Sequence, residues 1–354
     1  MKGGETMLGT NIGIDLGTTS IVIYVEGKGI VLSEPCAAAY EKSTGKLIAV
    51  GKKAGDMFEK APDAIRVVKP MTHGIVSDFT ATKHILRSML SRICKNMVFK
   101  PNVVVCVPSM VTSLEKRTIL DLITSAGAAK ACLIEEPLAA AHSAGLKSDR
   151  PMGTMVVDIG GGTTDIAVIT MGCISISKSV KVAGNALDEA IARQIRRERD
   201  VIIGERTAEY IKRQIGCCHL RNAELGITVK GKHFITGMPV SIEVNSTETY
   251  LAMRPHLETI GEAVRSVLEL TPPELSADIS DTGIYLTGGG ALLLGIDEMI
   301  RKKTGVKTYI ADDPLNCVAR GTGEALAHID IISQNGYVFK ARDEIGGLTP
   351  ETNE

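Results

Sequence analysis

Ile12-Gly-Ile-Asp-Leu-Gly-Thr-Thr-Ser20 and, far along the chain, Val156-Val-Asp-Ile-Gly-Gly-Gly-Thr-Thr-Asp165 follow one pattern. Each is a short apolar run that ends on an acid, Asp15 or Asp158, turns through glycine and threonine, and resumes as a second apolar run, Ile21 to Val25 or Ile166 to Ile169. Both runs are rich in β-branched residues, so each copy reads as a β-hairpin. Glycine lets the backbone approach a ligand closely and takes positive φ without strain, so successive N–H groups and hydroxyls of such a turn can converge on phosphate oxygens. An acid beside a phosphate repels it unless a hydrated cation lies between them. Two hairpins with one Asp each therefore point to a metal–nucleotide clamp served by two related halves.

A single turn of Gly and Thr is ordinary, but turn geometry does not require an acid at the same place in two copies. Other phosphate motifs fail on spacing. Gly160 and Gly162 begin a G-x-G-x-x-G, yet Asp165 stands where the third glycine belongs and an apolar strand rather than a helix follows. No Gly-Lys pair is followed by Ser or Thr, so there is no Walker loop.

Composition sets outer limits. The 354 residues, 44% of them apolar, suffice for two domains with their own cores and no disulfide staples. A net charge of −1, 3% aromatic residues and the absence of Trp argue against a nucleic-acid partner. The eight cysteines lie mostly in apolar runs and include no C-x-x-C, and nothing upstream reads as a signal peptide. They are expected to be reduced, cytosolic and structural. The seven histidines lack zinc spacing, and the longest uncharged stretch, Thr282 to Ile296, is too short for a bilayer span.

Along the chain, strand-like and helix-like patterns alternate as in α/β layers. Ile85, Leu86, Met89, Leu90 and Ile93 stripe a helix over Thr80 to Cys94, Asn102 to Val107 reads as a buried strand, a helix runs from a cap near Thr112 to Gly127, and Ala131 to Ile134 is a strand. The polar, turn-rich Gly145 to Gly153 marks the main domain boundary. Beyond it, Leu187, Ala190, Ile191 and Ile195 mark one helix, and Leu257, Ile260, Val264, Val267 and Leu268 another that stops at Pro272-Pro273. A β-leaning insertion is expected at Ile227 to Val244 and another at Ser33 to Arg66. The last helix carries Ala319, Gly321, Gly323 and Ala325, small residues that allow close packing, and past Gly336 the tail reads as loose.

Three further clusters carry chemistry. Leu286-Thr-Gly-Gly-Gly-Ala291 ends an apolar strand in bare backbone suited to a flat ring or sugar. Glu209 and Lys212, three apart on a helix opening near Thr207, share a face, either as a site or as an exposed ion pair. Ile134-Glu-Glu-Pro137 places two acids at a strand end where Pro137 can start a helix, and one of them could orient a water for attack on a terminal phosphate; two solvated acids is the alternative.

Together with Asp15-Leu-Gly-Thr, Ile134-Glu-Glu-Pro-Leu-Ala-Ala-Ala141, Val157-Asp-Ile-Gly-Gly-Gly-Thr-Thr-Asp165, Gly204-Glu-Arg-Thr-Ala-Glu-Tyr-Ile-Lys212, Leu286-Thr-Gly-Gly-Gly-Ala-Leu292 and Asp313-Pro-Leu-Asn-Cys-Val-Ala-Arg-Gly321, the chain resembles the MreB/Mbl family of bacterial actin-like, rod-shape-determining proteins from about Asn11 to Ile331. The resemblance implies an α/β, actin-like ATPase fold: two duplicated domains around a nucleotide cleft, here 1–150 and 151–336 with a loose tail at 337–354. Each would carry a small subdomain, about 33–66 and 184–246, and a last helix at about 315–330 would pack back on the first domain. It also implies ATP and Mg²⁺ as cofactors. Asp15 and Asp158 would hold the hydrated metal, Thr18, Thr19 and Ser20 with Gly160, Gly161, Gly162 and Thr163 the phosphates, Glu209 and Lys212 the ribose and base, and Gly288, Gly289, Gly290 and Ala291 the adenosine. Glu136 would position the attacking water, with Asp165 as helper.

The family's usual first loop is Gly-Thr-Ala-Asn-Thr, whereas here it is Gly17-Thr-Thr-Ser-Ile21, so phosphate affinity or turnover is expected to depart from the norm. Residues 1–10 lack the amphipathic helix some members use on membranes, which leaves Met97, Val98 and Phe99, flanked by Lys95 and Lys100, as the expected contact with the inner face of the cytoplasmic membrane. The function implied is ATP-dependent assembly into membrane-associated cytoplasmic filaments, with paired protofilaments, that organise cell-wall synthesis proteins. The alternatives are a chaperone-like ATPase, which would need several hundred more residues, a small-molecule kinase, which would need an acceptor pocket, and a filament protein with little hydrolysis.

Overall fold

The computed structural model describes residues 11–95, 100–146, 150–325 and 340–341. Met97, Val98 and Phe99 lie outside these residues. The described chain forms two compact units: residues up to Ser143 together with those from Val318 on, and Ala144–Cys317. Arg150 and Gly153 belong to the second unit because the Arg150 carbonyl accepts from Met171 N and Gly153 N donates to Asp278 at 2.7 Å.

In the first unit one sheet runs in the order Lys340–Ala341, Lys130–Glu135, Asn102–Val107, Asn11–Leu16, Ser20–Val25, Gly29–Pro35. The last three strands form an antiparallel meander, and Asn11–Leu16, Asn102–Val107 and Lys130–Glu135 are parallel. The second unit repeats this arrangement. Cys173–Val180, Thr164–Thr170 and Thr154–Ile159 form the meander, and Ile284–Thr287 and Thr308–Ile310 continue in parallel. Parallel strands are covered on both faces, which is why Asn102–Val107 reads as a near-continuous apolar run and is buried throughout.

Local signals set the helices. Asp78 caps Phe79–Ile93 by accepting from Ala81 N at 2.9 Å, so this helix opens one residue before the stripe suggests, with Ile85, Leu86, Met89 and Leu90 buried. Thr112 and Glu115 form a reciprocal capping box on Ser113–Ala126, which ends at Gly127. A second box, Asn245 with Glu248, opens Ser246–Leu270, a helix longer than its apolar stripe because it starts directly from the preceding strand.

Each unit also carries a small three-stranded sheet. In the first it is Leu47–Val50, Ala38–Glu41 and Ile65–Val68, since Gly29–Pro35 joins the main sheet. In the second it is Val201–Ile202, Gly226–His233 and Pro239–Asn245. The helix Cys317–Ala325 packs within the first unit through missing side chains: a Cβ on Gly321 would collide with the Ala139 carbonyl, and one on Gly323 with the Tyr24 ring. Lys340–Ala341, inside the stretch read as a loose tail, pairs antiparallel with Lys130–Ala131 and forms the sheet edge, a backbone pairing that polar composition does not reveal.

Candidate functional site

In the first unit the turn after Asp15 is closed by Gly17 N donating to Ser20 O at 3.0 Å. Thr18 Oγ1 accepts from Gly74 N at 2.8 Å, and the Thr19 carbonyl accepts from Cys36 N, so the turn is held from outside by two neighbouring segments. Thr19 itself is exposed. Asp15 keeps some surface exposure, yet burial pushes its carboxyl up to about 6, against the lowering effect of a hydrogen bond from the Cys106 thiol at 3.3 Å. Burial first, then the charges of Asp15 and Glu136, push that thiol well above its ordinary range, so it remains a neutral donor.

The two neighbouring acids separate clearly. Glu135 lies 3.6 Å from Lys116, whereas Glu136 opens the helix Glu136–Ser143, is 8% exposed, and is close enough for its charge to act on Cys106. Strand order explains the gathering: Asn102–Val107 lies between Asn11–Leu16 and Lys130–Glu135, so Asp15, Cys106 and the Glu135-Glu136 pair end three adjacent parallel strands. In open sheets of this kind, that end is where ligands bind.

In the second unit Asp158 is 5% exposed and accepts a hydrogen bond from Thr287 Oγ1 at 2.7 Å. Asp165 stands directly across the hairpin from Asp158 and is fully buried. Thr163 is also buried. The glycine turn is bonded to the start of the helix Gly184–Arg199, with Gly184 N donating to Gly160 O at 3.1 Å and Asn185 N to Gly161 O at 2.8 Å. Lys212, on the helix Glu205–Ile215, reaches the same place: its ammonium donates to Gly184 O and to Asp188 Oδ2, both at 2.9 Å. Glu209 does not pair with Lys212. It is exposed, with Arg213 3.8 Å away.

The run after Ile284–Thr287 has a packing role that its composition concealed. Gly288 has φ 79°, and a Cβ there would strike the Ile159 carbonyl; one on Gly290 would strike the Ile159 side chain. Gly289 to Leu292 form a short 3₁₀ turn in which Ala291 is buried. Two of the three glycines therefore let this turn lie against the strand end that carries Asp158. Sequence reasoning missed Cys106, Thr287, Gly74 and Asp188. For the first two the available signal was a hydrogen-bonding side chain at or near the end of an otherwise apolar strand.

The model of the MreB/Mbl protein family matches residues 9–334. The chain belongs to the MreB/Mbl family. Among its relatives are the cell shape-determining proteins Mbl of Bacillus subtilis (strain 168), 43% identical over 92% of this chain and 98% of that one, and MreB of Escherichia coli (strain K12), 42% identical over 94% and 97%. The crystal structure of MreB5 of Spiroplasma citri bound to ADP is similar at TM-score 0.87 and 37% identity, covering 93% of this chain and 99% of that one. A double helical filament of MamK, 20% identical with TM-score 0.76, shares the fold. The fold is thus the actin-like one, and this MreB/Mbl protein is an actin-like member of a cell-shape family.

Proposed function

We propose that this MreB/Mbl protein binds ATP with Mg²⁺, polymerises in the ATP state, and hydrolyses ATP slowly to mark subunits for release. One observation carries the reading: an acid followed by a Gly/Thr turn occupies the same joint in two sheets of the same strand order. A relative was crystallised with ADP, and another structure of the same relative holds AMPPNP, which supports a nucleotide at these turns. Family membership also favours this reading over the chaperone-like and kinase alternatives.

The residues suit the cofactor. The first hairpin offers the hard carboxylate of Asp15, and the second that of Asp158 with Asp165 across from it. That fits Mg²⁺, which keeps much of its water. Asp15 and Asp158 would hold that water shell, and the ion would offset phosphate charge. The turns at Thr18, Thr19 and Ser20 and at Gly160, Gly161, Gly162 and Thr163 would bind the phosphates. Gly288 to Ala291 and Lys212, with Glu209 at the exposed rim, would take the nucleoside. Glu136 would orient the attacking water, with Asp165 as its helper. The first turn departs from the family's usual sequence, so phosphate affinity or turnover would differ; the Thr18 hydroxyl accepts from Gly74 and keeps its O–H for a phosphate oxygen.

Filaments would lie on the inner membrane face through Met97, Val98 and Phe99 and organise wall-synthesis proteins to set rod shape. Among the described residues no helix is long and apolar enough to cross a membrane. Each apolar side chain contributes at most about 1.5–3 kcal/mol, so a monomer would bind lipid weakly and a filament firmly, through many linked contacts. Sedimentation with and without ATP, in solution and with anionic liposomes, tests the whole reading. ATP-dependent pelleting is expected, with liposome binding lost in the Met97→Ser, Phe99→Ser variant while pelleting in solution persists. A wild type that stays monomeric with ATP at high concentration contradicts assembly, and a variant that still binds liposomes normally contradicts membrane contact through Met97 and Phe99.

A further inference from the structure

Asp188 has no place in the roles above, and its position is unfavourable to its charge. It stands one turn inside the helix Gly184–Arg199, near the end bonded to the Gly160–Gly161 turn, with nine-tenths of its surface covered. One carboxylate oxygen accepts from Lys212; the other, Oδ1, is buried with no hydrogen-bond partner. Burial outweighs the attraction of Lys212 and pushes the carboxyl up to about 6, helped by the charges of Glu209 and Glu205. A buried pair of this kind adds little net stability. What it does is locate an ammonium. Two of the three Lys212 donors are used by Asp188 and the Gly184 carbonyl, and one remains. Gly184 makes room for this arrangement: a Cβ there would lie 3.3 Å from both Lys212 Nζ and the Gly160 carbonyl.

We propose that Asp188 is a positioning residue for nucleotide binding: with the Gly184 carbonyl it fixes the Lys212 ammonium beside the second phosphate turn, leaving one donor for an oxygen of the bound nucleotide. The inference rests on the nucleotide-binding reading above. A positioning acid and a structural ion pair predict different outcomes for Asp188→Asn. If the acid serves binding, the nucleotide-free variant melts at or above the wild-type temperature, because a poorly solvated charge has gone, while ATP affinity falls about tenfold, as when an outer support is removed from a binding group.

The test is a double-mutant cycle with Lys212→Met, read by equilibrium binding of a fluorescent ATP analogue and by melting of the nucleotide-free full chain. Asp188→Asn should add nothing further once Lys212 is gone. An Asp188→Asn affinity within about twofold of wild type, effects that multiply in the double variant, or a melting temperature that drops in step with affinity each overturn the assignment. Wild type that fails to bind the analogue defeats the nucleotide reading and this inference together, whereas normal wild-type binding with an unaffected variant defeats this inference alone.

Discussion

The two hairpins share a plan but are secured by different means. Asp15 receives a thiol from Cys106 at 3.3 Å and Asp158 a hydroxyl from Thr287 at 2.7 Å. The pairing registers place these donors at corresponding positions, each on the parallel strand beside its acid. Across the hairpin the acids differ again, with Val22 opposite Asp15 and Asp165 opposite Asp158. The first turn is fastened through the Thr18 hydroxyl and the Thr19 carbonyl to two other segments, and the second through the Gly160 and Gly161 carbonyls to a helix start. Duplication thus preserved the acid and the turn, while the way each is held diverged. The second half holds its acid with the stronger, shorter bond, and the first half has Glu136 close by.

The largest expected difference is at Glu136, the acid we propose to orient the attacking water. Glu136→Ala should lower ATP turnover about a hundredfold while ATP affinity stays near normal, and filaments should persist longer. Glu135→Ala, which removes the partner of Lys116, should change turnover little. A phosphate-release rate that falls only in the Glu135 variant would reverse the assignment.

Next come the two donors. Thr287→Val takes one hydrogen bond, about 1–3 kcal/mol, from the buried Asp158 carboxylate and should weaken Mg²⁺-dependent ATP binding about tenfold. The weaker thiol bond makes Cys106→Val smaller, about twofold. Equal effects in a binding titration would erase the distinction between the halves.

A smaller effect concerns pH. Asp15 is raised from 3.8 to about 6, so protons compete for its carboxylate as the solution is acidified. Mg²⁺-dependent ATP binding should weaken as pH falls through about 6, because ion binding needs the charged form. Stability of the nucleotide-free chain should move the opposite way for this group. The folded state holds the Asp15 proton more tightly than the unfolded state does, so its contribution grows as pH falls from about 6 towards 4 and is lost as pH rises again. Asp15→Asn should remove both trends, as seen in melting curves and binding titrations across that window.

Much of this was legible in the sequence because it was local. Apolar runs bounded by Asp and Gly gave both hairpins, and the cap near Thr112 gave a helix start. What was not legible depended on neighbours distant in the chain. Nothing around Glu135 and Glu136 tells them apart until Lys116, from another helix, comes beside one of them. Lys212 suggested Glu209, three residues away on the same helix, but its partner proved to be Asp188 on a facing helix. Gly288 and Gly290 read as a bed for a ring, and their contact with Ile159 emerged only when Ile284–Thr287 was placed beside Thr154–Ile159.

We propose that Asp15 and Asp158 both serve Mg²⁺-dependent ATP binding. ATP binding measured across a Mg²⁺ titration, for wild type and for the Asp15→Ala, Asp158→Ala double variant, addresses it directly. The account predicts Mg²⁺-dependent binding in the wild type and weak, Mg²⁺-insensitive binding in the double variant, a loss of several kcal/mol in phosphate-charge compensation. Normal Mg²⁺-dependent affinity in the double variant would contradict it.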